Sequence, residues 1–288
     1  MTQGRATAIG FAAVLLWSLL ALFTVGTAPT PPLQLNAMCF GIATLIGVAW
    51  VARSGGMAEL RAVRWPVYIF GIAGLFGYHL FYFTALRLAP PAEAGLIAYL
   101  WPLLIVLFSG LLPGERLWPG HLVGALAGFA GAALIIGRGG ASFEAEALPG
   151  YVAAGLCALT WSGYSVLSRR LGAVPTNSVA VFCAGTAALS LIAHLLFEET
   201  VWPAGWIGWA SVAALGLGPV GLAFYVWDIG VKRGDIQLLG VASYAAPLLS
   251  TLILIGAGIA EPSATLVIAA ILIAGGALLA AKAGPRRT

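Results

Sequence analysis

Along the 288 residues, long apolar runs alternate with short polar breaks. Ten runs approach the ~20 residues that a helix needs to cross a bilayer. They fall near 6–26, 33–53, 65–86, 91–112, 119–137, 150–170, 178–197, 206–229, 236–258 and 263–282. Apolar and polar residues do not alternate within them, as they would in barrel strands, so each run is expected to be a transmembrane helix. The breaks carry turn chemistry, as in Thr27–Pro32, Pro113–Pro119, Gly172–Asn177 and Glu261–Pro262. Connections this short make neighbouring helices antiparallel.

The pattern recurs. At an offset of 145, Gly71 falls on Gly216, Tyr82 on Trp227, Arg87 on Lys232, Gly95 on Gly240, Tyr99 on Tyr244 and Pro102 on Pro247. Trp17-Ser18 in the first helix echoes Trp161-Ser162 in the sixth. Chance likeness among apolar segments is the alternative, but it does not explain Gly, Pro and aromatic matches at one offset. Each half holds five helices, an odd number, so the second half enters from the opposite face. The expectation is an all-α polytopic membrane protein, with ten transmembrane helices as two inverted five-helix repeats, 1–140 and 141–288. That plan is common in secondary transporters.

Composition removes other classes. Charged residues are 8% of the chain and hydrophobic ones 61%, against about 25% charged in a soluble domain. There is no room for a nucleotide-hydrolysing domain, and a net charge of +4 spread over loops is no nucleic-acid signal. Twelve of the fourteen basic residues fall on the face holding the N-terminus, here side A, and only Arg87 and Arg138 on side B. Positive loops stay inside, so both termini are expected to be cytoplasmic. Cys39, Cys157 and Cys183 all lie within apolar runs and read as packing residues. The first run follows Arg5 like a signal peptide, but prolines stand where cleavage would fall, so it is read as a retained helix. No catalytic or metal-binding motif occurs, and no cofactor is expected.

Intramembrane ionisable residues are functional candidates. His79 lies 14 residues past Trp65, about 21 Å along a helix at ~1.5 Å per residue. Tyr78 and Tyr82 flank it, Tyr99, Trp101 and Pro102 follow in the next helix, and Trp161 and Tyr164 share a helical face with Ser165 and Ser168. Tyr244 and Trp17 complete the group. Trp50, Trp65, Trp118, Trp202, Trp206 and Trp209 fit an interfacial belt, whereas Trp17, Tyr82, Trp101, Trp161 and Tyr164 sit too deep for one. Helix-packing aromatics are the competing explanation. His79 itself reads either as a neutral hydrogen-bond donor to substrate or as a core histidine donating to a backbone carbonyl. Asp228 reads as an exposed helix-end acid or the partner of Lys232. Gly124–Gly128 and Gly71, Gly74 and Gly77 offer close-packing faces. Gly216, Pro219 and Pro247 are hinge candidates, with a static kink at Pro219 as the alternative.

The ten short helices in two halves, the two Trp-Ser pairs, the segment ALRLAPPAEAGLIAYLWPLL and Gly114-Glu115 resemble the drug/metabolite transporter superfamily, and within it the EamA-type exporters. The segment Tyr99–Leu104 is most similar to the bacterial aromatic amino acid exporter group. The resemblance spans essentially the whole chain. It implies an inner-membrane exporter of amino acids or related metabolites, working by alternating access around a central cavity. It points to Trp17, His79, Tyr82, Tyr99, Trp101, Pro102, Trp161 and Tyr244. At the repeat offset Trp101 and His79 meet Ala246 and Phe224, so any site is asymmetric. The expected partners are a small-molecule substrate and the lipid bilayer, not nucleic acid. Nothing fixes an oligomer, and a monomer is compatible with the pattern. Alternatives are an exporter of hydrophobic drugs or other metabolites, and a membrane-embedded lipid-modifying enzyme using Asp228.

Overall fold

Ten helical segments run back and forth in the computed structural model, which describes residues 1–137 and 144–283. They are α1 (Gln3–Gly26), α2 (Pro32–Arg53), α3 (Trp65–Leu88), α4 (Pro91–Ser109) and α5 (Pro119–Ile136). After these come α6 (Leu148–Arg170), then α7 (Thr176–Phe197), α8 (Gly205–Arg233), α9 (Ile236–Gly256) and α10 (Ala264–Ala281). Nine are long and apolar enough to cross a membrane. The remaining helix, α6, has 23 residues but carries Thr160, Ser162, Ser165, Ser168 and two terminal arginines. It buries its polar face, with Ser162, Ser165 and Ser168 all inside. The chain is a multi-pass membrane protein of two five-helix halves. Arg138, Arg286, Arg287 and the expected 140/141 boundary lie outside the described residues.

The packing follows a pseudo-two-fold pattern. Helices at equivalent positions pair with each other, α5 with α10 and α2 with α7. The broad contact between α3 and α6 is matched by that between α8 and α1, as exchange of the halves requires. Glycine makes the tightest crossings. A Cβ on Gly124 would meet the Gly276 carbonyl oxygen at 2.5 Å, and one on Gly276 would meet that of Gly124 at 2.5 Å. No side chain fits there, so the α5 and α10 backbones touch, which suits lipid, where apolar side chains gain little by associating. Gly10 of α1 and Gly230 of α8 make an equally close approach. Of the expected Gly71, Gly74 and Gly77 face, Gly71 packs on the Phe182 ring and Gly74 on Tyr164.

Several helices are broken, and proline explains two of the breaks. A proline lacks the N–H that would bond the carbonyl four residues back. Pro102 leaves the Ala98 carbonyl without that partner, and α4 turns at Tyr99–Leu100 before restarting at Trp101. Pro247 does the same to Ser243, and α9 turns at Ser243–Tyr244 before restarting at Ala245. The two breaks stand at matched positions of the repeat. Both prolines then sit in the first turn of the second half-helix, where no N–H is needed. α1 turns at Leu19, just after Trp17-Ser18. α8 contains a five-residue π-helical stretch, Gly218–Leu222, around Pro219.

Ion pairs close the two ends. On side A, Arg169 at the end of α6 donates to the carbonyls of Val231 at 3.0 Å and Gly234 at 2.8 Å. It also pairs with Glu115, in the loop after α4. On side B, Glu198 after α7 pairs with Arg87 of α3 and with His194. Glu198 also accepts backbone N–H groups of Leu33 and Gln34 at 3.1 Å, at the positive start of α2.

Candidate functional site

The nine aromatic and histidine residues singled out from the sequence join in one ring-to-ring network where the halves meet. Trp17 of α1 lies 5.8 Å from Trp161 and 6.0 Å from Trp101 between ring centres, edge-on to both. Trp161 stacks on Tyr164 at 5.4 Å and touches Tyr78 at 5.3 Å. Tyr78 lies parallel to Tyr82 at 6.2 Å and edge-on to His79 at 5.0 Å. Tyr99 reaches Trp101 at 6.2 Å and Tyr244 at 6.4 Å. The helix breaks set this geometry, since Tyr99, Trp101 and Tyr244 occupy the turns or their first restarted residue.

Exposure divides the network. Trp17, Tyr78, His79, Tyr82 and Tyr99 are half-buried, whereas Trp101, Pro102, Trp161, Tyr164 and Tyr244 are buried. The interfacial tryptophans behave differently, with Trp50, Trp65, Trp118, Trp202, Trp206 and Trp209 all exposed. Among the hinge candidates, Gly216 packs on Ile42 of α2 and Pro219 is buried within the π-helical stretch.

Three chemical details refine the expected roles. His79 Nδ1 lies 2.7 Å from the Leu75 carbonyl. A carbonyl only accepts, so Nδ1 carries the proton and donates it, and in the neutral ring Nε2 is an acceptor. The expectation that His79 donates to substrate is therefore corrected, because its donor is already used. Tyr244 is fully buried, and its hydroxyl accepts the backbone N–H of Leu103 at 3.0 Å. A tyrosine from one half thus satisfies an open N–H of the other half's restarted helix. Asp228 is 2% exposed, which corrects the reading of an exposed acid. It is the partner of Lys232, at 2.8 Å, and accepts from Thr176 at 2.7 Å.

Sequence reasoning missed several rings that join this network, and three of them lie at its centre. Trp227 stacks on Trp161 at 6.1 Å, contacts Trp17 at 5.1 Å and donates Nε1–H to Ser165 at 3.1 Å. Phe224 and Phe40 stack at 5.3 Å, and both pack against His79. The repeat offset held the signal for two of them, since Trp227 is the mate of Tyr82 and Phe224 the mate of His79. Phe40 had no such mark.

The comparisons with known proteins agree with this architecture. The model of the EamA-like transporter family matches twice, at residues 5–137 and 148–282. The chain is 59% identical over 283 residues to an aromatic amino acid exporter, YddG, of Ancylobacter novellus, covering 97% of this chain and 98% of that protein. It is 24% identical over 265 residues to the Escherichia coli protein of the same name, covering 87% and 88%. A pseudopaline exporter, CntI, of Pseudomonas aeruginosa is 27% identical over 198 residues, covering 68% of each chain. One solved crystal structure superimposes with a TM-score of 0.94 over the whole of both chains, at 58% identity.

Proposed function

Because the chain belongs to the EamA-like transporter family, we propose that it is a secondary exporter of neutral amino acids, aromatic ones included, in a bacterial inner membrane. The observation that carries this reading is the graded aromatic network. Tyr78, His79, Tyr82, Tyr99 and Trp17 are half-buried where the halves meet, in contact with the buried rings of Trp101, Trp161 and Trp227. Aromatic pairs of this geometry each contribute about 1 kcal/mol beyond area burial, enough to select a ring-bearing substrate. Nε2 of His79 accepts from the substrate ammonium. The half-helix beginning at Trp101 turns its positive end to the carboxylate. Tyr164 and Tyr244 act from below, holding the floor and the break, and Gly216, Pro219 and Pro247 let the helices bend as access alternates. The termini face the cytoplasm, and the division near 140/141 separates the two repeats.

Two alternatives lose support. A cationic-drug exporter would use a deep carboxylate; Asp228 is matched with Lys232 at the end of α8, and the other buried one, Glu93, lies in the first turn of α4. A lipid-modifying enzyme finds no support in a family of transporters. The test is uptake by proteoliposomes of the pure protein across a panel of amino acids. Saturable entry of phenylalanine and tryptophan, absent from empty vesicles, is expected, and a panel without any such substrate rejects the reading.

A further inference from the structure

A cavity of about 990 Å³ opens on side A, away from the aromatic network. The first turns of α1, the first half of α9, the start of α5 and the end of α10 enclose it. Its size lies at the upper end of small-molecule sites, ~300–1,000 Å³.

The lining is amphiphilic. Phe11 and Ala242 make an apolar floor, and Glu115, Arg116 and Asp235 bring charges of both signs to the rim. That pattern fits a zwitterion with an apolar side chain. Glu115 has a second role, because its carboxylate is the acceptor that holds Arg169 across the side A closure. We propose that this cavity is a loading site for the exported amino acid, and that the substrate ammonium takes Glu115 from Arg169 and so loosens the clamp on Val231 and Gly234. The proposal rests on the export reading above and adds to it a second, side-specific site. Substrate then helps to open the face from which it is taken.

Ala242→Trp fills the floor, and Arg116→Ala removes one rim charge. In proteoliposomes, each variant is expected to raise the half-saturating phenylalanine concentration, Ala242→Trp by about ten-fold, and equally in both directions, because an uncoupled carrier must balance at equal concentrations. The maximal rate stays unchanged, which also reports that the variant is folded. An unchanged half-saturating concentration overturns the loading site while leaving export intact. If the unmodified protein carries no amino acid at all, the export reading fails and the loading site with it. Ala242→Cys gives a second route, since Cys39, Cys157 and Cys183 are buried and silent to an impermeant maleimide. Phenylalanine should slow alkylation from side A, and an unchanged alkylation rate overturns the proposal.

Discussion

At the scale of single residues, hydrogen-bond direction separates groups that hold the site from groups free to meet a ligand. Tyr244 stabilises the break in α4 through Leu103. Tyr244→Phe leaves that N–H without its acceptor, at about 1 kcal/mol for an unsatisfied donor. Lower thermal stability of the purified protein is expected, with little change in substrate affinity. The opposite outcome, intact stability and lost affinity, would make the hydroxyl a ligand group. His79 keeps an acceptor for the ligand while donating to Leu75. His79→Phe, which retains a ring and loses the acceptor, is expected to weaken phenylalanine binding about ten-fold, the cost of one charge-assisted bond. Isothermal titration with His79→Phe beside the unmodified protein checks this.

Legibility in the sequence stopped at the same scale. Tyr99, Tyr244, Pro102 and Pro247 could be read because a repeat prints the same residue twice and proline acts on its own backbone. Asp228 could be placed only at a helix end, since its burial depends on Thr176 at the start of α7, which the spacing does not bring to it. Glu198 and Arg169 were passed over for a related reason. Apart from His194, four residues before Glu198, their partners lie in other helices or loops, far along the chain, and only the fold brings them within reach. His79 reads from the sequence either as a donor to substrate or as a donor to a backbone carbonyl, and the spacing does not choose between them; the fold sets the Leu75 carbonyl against its Nδ1.

Among elements, the α5–α10 crossing is the least forgiving. Gly124→Ala would drive a methyl group into the Gly276 carbonyl oxygen, at 2.5 Å. Backbone cannot yield as a side-chain tip does, so a loss of about 2–3 kcal/mol is expected, the upper range for overpacking. Chemical denaturation in mixed micelles measures it. Gly77→Ala is the control, because a Cβ there would meet Thr160 at an ordinary 3.5 Å. It should change stability little.

For the whole molecule, the Arg169 clamp predicts how access is divided. Ser165 is fully buried beneath Trp227, so a cysteine placed there should be inert to water-soluble thiol reagents. Adding Arg169→Gln removes the ties to Glu115, Val231 and Gly234. Ser165→Cys is then expected to react from side A at least about ten-fold faster, as a two-state opening shifted by ~1.4 kcal/mol would allow. Reaction from side B alone would mean that the clamp does not control this face. Export is also expected to run down the substrate's own gradient. Proteoliposomes without an imposed pH difference should still accumulate phenylalanine to equilibrium, and an absolute need for a proton gradient would contradict this.

The broadest helix contacts run between α5 and α10, α3 and α6, α2 and α7, and α1 and α8, so each joins one half to the other. The repeats are interlocked, like the fingers of two clasped hands. A gene cut between the codons for residues 137 and 144 would therefore encode two fragments, each with its widest faces bare to lipid. Neither fragment should be stable when made alone. Made together, they should find each other in the membrane and purify as one complex, with nothing joining them but the faces they bury.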